Sequence, residues 1–389
     1  MTHRPRNCII PVHMMEWLAK DRGRLGECAH RTTLTSMRIG ERRALLRTIG
    51  VTNVAGTKSR TIYDAGHVVA LPGTLVRNEN DPPTADSAVN QVHSHLGTTY
   101  DFYRDVYRRN SLDDQGLRLD GTVHYGRDFM NAFWDGQQMV FGDGDGVVFT
   151  GFTGCVDIVA HELTHGVVQF TANLEYRGQS GALNESFADV FGSLVKQHSL
   201  GQTAAQADWL IGAGLLGPSI NGKALRSMAA PGTAYDDPRL GRDPQPAHLS
   251  SYVSLPEDEL GDMGGVHINS GIPNKAFHLL ATDLGGNAWG VAGQIWYATL
   301  LQLWPTAQFQ HCAQVSAEVA STLYGAAERQ AVVRAWAAVG IQVPSAVQPP
   351  VPRPTEALKV EELQAACAAL KSHLQQMEEA IHRAVAALS

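Results

Sequence analysis

The chain is 389 residues long and 44% apolar, with Lys+Arg 31 against Asp+Glu 38 and a net charge of −7. That length suits a two-lobed catalytic domain with appendages, and the apolar share excludes wholesale disorder. A mildly acidic chain without a Lys/Arg run has no electrostatic footprint for nucleic acid or an anionic membrane. The cysteines Cys8, Cys28, Cys155, Cys312 and Cys367 are scattered and never form a CxxC pair, so neither a disulfide framework nor a cysteine zinc site is expected. No apolar stretch is long enough to predict a spanning helix. Pro11, His13 and Glu16 break up the N-terminal apolar run, which makes it a poor secretory signal.

Residues 1–57 are polar and Arg-rich, with helical pieces predicted at Met14–Ala19 and Arg42–Thr48. Residues 58–153 alternate like strands at Thr61–Asp64 and Val68–Leu71, between Gly/Asn/Asp turns. One helix, about Ala85 to Tyr107, interrupts them, with Val89, Val92, Leu96, Tyr100, Tyr103 and Tyr107 at helical spacing. Residues 154–343 read as helical, at Val156–Phe170, Gly181–Ser199, Gly271–Gly285, Ala288–Trp304, Gln308–Tyr324 and Glu328–Val339. Residues 344–354 hold Pro344, Pro349, Pro350, Pro352 and Pro354, a stiff extended linker. In 355–389, Val360, Leu363, Cys367, Leu370, Leu374, Met377, Ile381, Ala384 and Leu388 follow a three-four spacing. That spacing fits either a self-associating coiled-coil strand or an amphipathic helix folding back on its own domain.

The chemistry centres on His161-Glu162-Leu163-Thr164-His165. Residues four apart on a helix share a face, so both imidazoles can reach one ion. Alone, HExxH is short enough to arise by chance on two ordinary helix histidines. Downstream, Gly181-Ala182-Leu183-Asn184-Glu185-Ser186-Phe187-Ala188-Asp189 opens a second helix. Glu185 can add an anionic ligand, and Asp189, one turn on, can accept from a ligand imidazole. Three protein ligands leave a fourth tetrahedral position for water, the open form of a catalytic zinc site. Leu183, Phe187, Val190 and Phe191 mark this helix as buried, where unpaired carboxylates are costly.

With these motifs in order, the chain resembles the thermolysin family of zinc metallopeptidases. The others are Asn131-Ala132-Phe133-Trp134-Asp135-Gly136, Gly142-Asp143-Gly144-Asp145-Gly146, Leu225-Arg226-Ser227-Met228 and Gly264-Gly265-Val266-His267-Ile268-Asn269-Ser270-Gly271. The resemblance implies an α+β fold in two lobes, β-rich then helical, with the zinc helix between them. It implies His161, His165 and Glu185 as zinc ligands and Glu162 as general base. His267 and Tyr176 match donors to the oxyanion, Asp262 the carboxylate orienting His267, and Asp189 the partner of a zinc histidine. Asn131, Ala132 and Arg226 match groups holding the substrate backbone. Phe149, Phe152, Ile158, Ile211 and Leu225 match an apolar pocket on the leaving-group side. Tyr125 reads as core.

The activity so implied is endopeptidase cleavage before bulky apolar residues of protein or peptide substrates, on one catalytic Zn2+. An exopeptidase would need a charged pocket for a free terminus, and a retired scaffold would have lost Glu162, a ligand or His267. Asp157 and Asp208 match two calcium ligands of the family, but Lys196, Leu210 and Ala213 stand where acids belong. A double Ca2+ site is therefore not expected, and Lys196 can replace a cation by pairing with the aspartates. The short leader with Ile9-Ile10-Pro11 resembles the protealysin-like subgroup, which makes residues 1–57 an expected inhibitory propeptide. Cys8 beside it reads as an apolar cysteine in preference to a thiolate plug on the metal. Secretion is the family's habit and is expected here.

Overall fold

The structure is a computed structural model that describes residues 7–43 and 57–343. The linker and heptad segment lie outside the described residues, as does most of the helix expected at Arg42–Thr48. In chain order come β1 (Asn7–Cys8), α1 (Val12–Leu18), α2 (Arg24–Arg43), β2 (Arg60–Asp64), β3 (Thr74–Asn78) and α3 (Ser87–Tyr107). Then follow β4 (Leu119–Val123), β5 (Ala132–Trp134), β6 (Met139–Phe141), α4 (Val156–Gln169) and α5 (Gly178–Leu200). The remainder is β7 (Leu210–Ile211), β8 (Arg226–Ser227), β9 (Asp236–Asp237), β10 (Gly241–Arg242), α6 (Asp262–Asn269), α7 (Gly271–Leu284), α8 (Val291–Leu300), α9 (Phe309–Leu323) and α10 (Ala326–Ala338). The fold is α+β, a sheet-rich lobe followed by a helical one, as expected.

One six-stranded sheet, ordered β1-β5-β6-β4-β2-β3, organises the first lobe. β5 would be its edge, and β1 from the N-terminal segment covers it antiparallel, Cys8 opposite Phe133 and Asn7 opposite Trp134. Helix α3 backs the sheet because Val89, Val92, Leu96 and Tyr103 form a buried stripe. Asp86 caps it, accepting from the backbone N–H of Ala88 and Val89 at 2.8 and 3.3 Å.

Helices α4 and α5 form the floor between the lobes. Both are buried nearly all round, polar site residues included, so those side chains must find partners inside the protein. Gly192 sets their spacing: a Cβ there would lie 2.6 Å from the Asp157 carbonyl oxygen. Any larger residue would push α5 off α4 and pull Glu185 away from the histidines.

One local expectation is corrected, and one element was not foreseen. Val68–Leu71 is not a strand: Val68 and Val69 are 57% and 50% exposed. Left-handed Gly66 and His67 turn the chain there, and Pro72 brings no backbone donor, so the strand forms later, as β3. In the N-terminal segment a long helix over Arg24–Arg43 adds to the pieces expected from the sequence. Propensity disfavoured it through Gly26, Thr32, Thr33 and Thr35. Burial of Cys28, Ala29, Thr32 and Ser36 on one face overrides that preference.

Candidate active site

Helix α4 places His161, Glu162 and His165 with no solvent exposure, and α5 brings in Glu185, likewise fully buried. Ligand atoms of His161, His165 and Glu185 all lie within 4.8 Å of one another. The two imidazole Nε2 atoms are 3.1 Å apart. Glu185 Oε2 sits 3.4 Å from His161 Nε2, and Oε1 sits 3.5 Å from His165 Nε2. The outer nitrogens are engaged elsewhere. His161 Nδ1 is 2.8 Å from Asp189 Oδ1, and His165 Nδ1 is 2.9 Å from Asn184 Oδ1, both acceptors. That fixes the tautomers and turns both Nε2 atoms toward the carboxylate.

The electrostatics follow. Burial works against charge on His161, but Asp189 and Glu185 outweigh it and lift its pKa to about 9. Burial drives His165 down to about 3 against the pull of Glu185. Despite burial, the Glu185 carboxyl is held well below its usual range by His267, His165 and His161. Burial likewise opposes ionisation of Asp189, but Arg226 and His161 bring it to about 2. His161 thus carries positive charge beside these carboxylates while His165 stays neutral. Glu185 Oε2, fully buried, accepts no hydrogen bond among the described residues. Two imidazole nitrogens and a carboxylate oxygen aimed at one point are a donor set that fits zinc.

Asp189 ties the floor together. Arg226 grips it with Nε and Nη2 at 2.8 and 2.9 Å, and Asn274 Nδ2 donates to it at 2.9 Å. On the sheet side, Glu162 Oε2 accepts from the Trp134 backbone N–H at 2.9 Å, which aims this carboxylate along β5. Opposite, Tyr176 OH donates to Glu185 and lies 3.2 Å from His267 Nε2. His267 is positioned by an unusual turn in which Asp262, Met263, Gly264 and Gly265 have φ of 52°, 51°, 88° and 75°. This left-handed run curls the chain so that both oxygens of Asp262 serve His267, one on its N–H (2.9 Å) and one on Nδ1 (2.6 Å). Burial opposes charge on His267, but Asp262 and Glu185 raise its pKa to about 9.

The N-terminal segment runs through this cleft. Ile9 N–H donates to the Ala132 carbonyl (3.1 Å), and Ile10 N–H donates to Asn131 Oδ1 (3.0 Å). Arg226 Nη1 donates to the Ile9 carbonyl (3.1 Å), and His267 Nε2 lies 2.7 Å from the Cys8 carbonyl oxygen. The expected backbone-holding residues thus all engage one extended strand. The Cys8 side chain belongs to an apolar cluster with Tyr125, Phe129, Phe133 and Val140. Beyond it, His13 Nε2 meets Tyr235 OH at 2.8 Å, and burial lowers the His13 pKa to about 4. Arg24 and Arg31 pair with Asp128 at 3.1 and 3.4 Å. Ile9, Ile10, Met14 and Leu18 are essentially buried, each worth about 1.5–3 kcal/mol, whereas those exposed ion pairs are screened by solvent. Apolar anchoring dominates this contact.

Phe149, Phe152, Ile158, Ile211 and Leu225 are completely buried in the main core, which also holds Ile9. They are not walls of the cleft cavity of about 80 Å3 lined by Ile10, Met15, Thr32, Tyr176, Leu260 and His267. Asn184, Asn274 and the Trp134 backbone N–H had no role in the sequence reading. Asn184 directly precedes Glu185, which was a usable signal. Asn274 lies 85 residues from its partner Asp189, and nothing local points to it.

Comparison with known proteins matches residues 35–169 to the family profile described as thermolysin metallopeptidase, catalytic domain, and residues 172–341 to that of its alpha-helical domain. An extracellular metalloprotease of Pectobacterium carotovorum subsp. carotovorum is 54% identical over 291 residues, covering 74% of this chain and 83% of the relative. Protease PrtS of Photorhabdus sp. (strain Az29) is 52% identical over 292 residues, covering 75% and 78%. The solved precursor of protealysin from Serratia proteamaculans is similar at 49% identity and a TM-score of 0.79, over 86% of this chain and 99% of that one.

Proposed function

The chain belongs to the thermolysin family of zinc metallopeptidases, and from that premise we propose that it is an endopeptidase held latent by its own N-terminal segment. His161, His165 and Glu185 would hold the zinc. When bound, zinc lowers the pKa of a water and polarises the peptide carbonyl. Glu162, aimed by the Trp134 N–H, would take a proton from the attacking water and pass it to the leaving amine. His267, kept protonated by Asp262, and Tyr176 donate to the oxygen on which charge develops. Asp189 orients His161, while Asn131, Ala132 and Arg226 hold the substrate backbone in register.

The observation that carries this reading is the path of Asn7–Ile10. A peptide strand already lies antiparallel to β5, with one carbonyl at His267 and the next held by Arg226. A substrate held by the same bonds would be cut at the position of the Cys8–Ile9 bond. The residue after the cut would then stand where fully buried Ile9 stands. That supports a preference for bulky apolar residues there, with Phe149, Phe152, Ile158 and Leu225 as the surrounding apolar shell. It also supports residues 1–57 as a propeptide whose removal opens the cleft. Residues 58–153 and 154–343 would then be the two catalytic lobes, followed by the linker 344–354. The extracellular naming of the Pectobacterium relative supports secretion of this chain. No helix among the described residues is long and apolar enough to cross a membrane.

Casein cleavage by the matured protein and its Glu162→Gln variant tests the proposal, alongside zinc content. A loss in kcat of about 1000-fold with zinc retained is expected, in the range of a lost general base. Undiminished cleavage by Glu162→Gln would refute the role of Glu162.

A further inference from the structure

Away from the cleft, three loops of the sheet lobe bring His67, His124 and Asp143 together, following β2, β4 and β6 respectively. Asp143 Oδ1 is 2.9 Å from His124 Nδ1, and Asp143 Oδ2 is 3.2 Å from His67 Nδ1. The two rings are neighbours, with centroids 5.2 Å apart and planes tilted by 52°. The backbone closes the arrangement, since His67 N–H donates to the His124 carbonyl at 2.8 Å. Both histidines have left-handed φ, 61° and 54°, which turns their rings inward from consecutive strand ends.

We propose that His67, His124 and Asp143 form a second, accessory site for a divalent, imidazole-preferring metal ion of the zinc class. A tetrahedral ion with bonds of about 2.0–2.1 Å separates its ligand atoms by about 3.3 Å, close to the spacings found here. Two imidazoles and one carboxylate suit zinc, cobalt or nickel, while calcium requires six or more oxygens. The support behind the ligands is also present. His124 Nε2 is 2.8 Å from Asp86 Oδ2, the carboxylate–histidine pairing that orients a metal-binding ring. Asp86 is fixed in turn, because its other oxygen caps α3. An ion here would pin the ends of β2, β4 and β6 to the start of α3 and lock the lobe that carries β5.

Zinc content and Co2+ titration of the full chain test this directly. After equilibration with Zn2+ the wild type should carry two ions per chain. His67→Asn should carry one, as should His161→Ala, and the double variant none. Asparagine tolerates the left-handed backbone at the exposed His67 position, so this change spares the fold. Asp86→Asn retains a capping oxygen and should weaken the second site about 10–100-fold. One ion in the wild type, or two in His67→Asn, would overturn the proposal. In that case His124 is only an imidazolium bridging two aspartates.

Discussion

Helix α5 meets buried acid at two places, and the two are settled differently. Near its start Glu185 and Asp189 face imidazoles, and Arg226 also grips Asp189. Two turns further on Lys196 brings its own ammonium, with Nζ 3.3 Å from Asp157 Oδ2, 2.9 Å from Asp208 Oδ1 and 2.9 Å from the Leu210 carbonyl. One end therefore converges two imidazoles and a carboxylate on one point, a donor set that fits a metal ion. The other is closed within the chain and can only hold α4 and α5 together. Burial raises the Asp157 pKa despite Lys196, so even this internal pair carries a desolvation penalty.

The largest effect should come from breaking the first end. Asp189→Ala strands Arg226 and frees His161, which should cost about 3–5 kcal/mol in urea unfolding. It should also weaken zinc about 10–100-fold by equilibrium dialysis. A loss under about 1 kcal/mol would show that the network is not mutually dependent. At the second end, Lys196→Met leaves Asp157 without its cation and should cost about 1–3 kcal/mol. Lys196→Glu sharpens the contrast. We expect calcium to raise the Tm of that variant while leaving the wild type unmoved, since only the variant has three acids at the site. A calcium-dependent wild-type Tm would contradict the substitution of ammonium for metal.

The smallest effect concerns pH. Asp143, against some burial and with help from Asp86, raises His124 to about 9, above its ordinary 6.5. A raised histidine adds stability that is fully present below about pH 6.5 and disappears as pH rises through about 9. In chelator, the stability difference between wild type and His124→Gln should therefore shrink from about pH 6 to about pH 10. A difference constant with pH would exclude the ion pair as its source.

Much of this was legible in the sequence because its chemistry is local. HExxH lies on one helix face, and Glu185 and Asp189 lie one turn apart, so helical period alone groups them. The fold class followed from the family resemblance that the ordered motifs carry. What escaped depends on distant closure. Asn274 reaches Asp189 only through the packing of α7 on α5. His67, His124 and Asp143 meet only because the ends of three parallel strands come together. Val68–Leu71 read as a strand because alternation says nothing of a left-handed turn before it. The helix Arg24–Arg43 was hidden because its inward stripe is Cys, Ala, Thr and Ser rather than large apolar residues.

The central claim is that the groups holding Asn7–Ile10 are those that hold substrate. The direct measurement is peptidase activity of the full chain, followed as residues 1–57 are removed by limited proteolysis. A zinc-loaded but nearly inactive full chain is expected, with activity rising at least about 100-fold in step with loss of the segment. Equal activity before and after removal, with zinc bound in both, would contradict it.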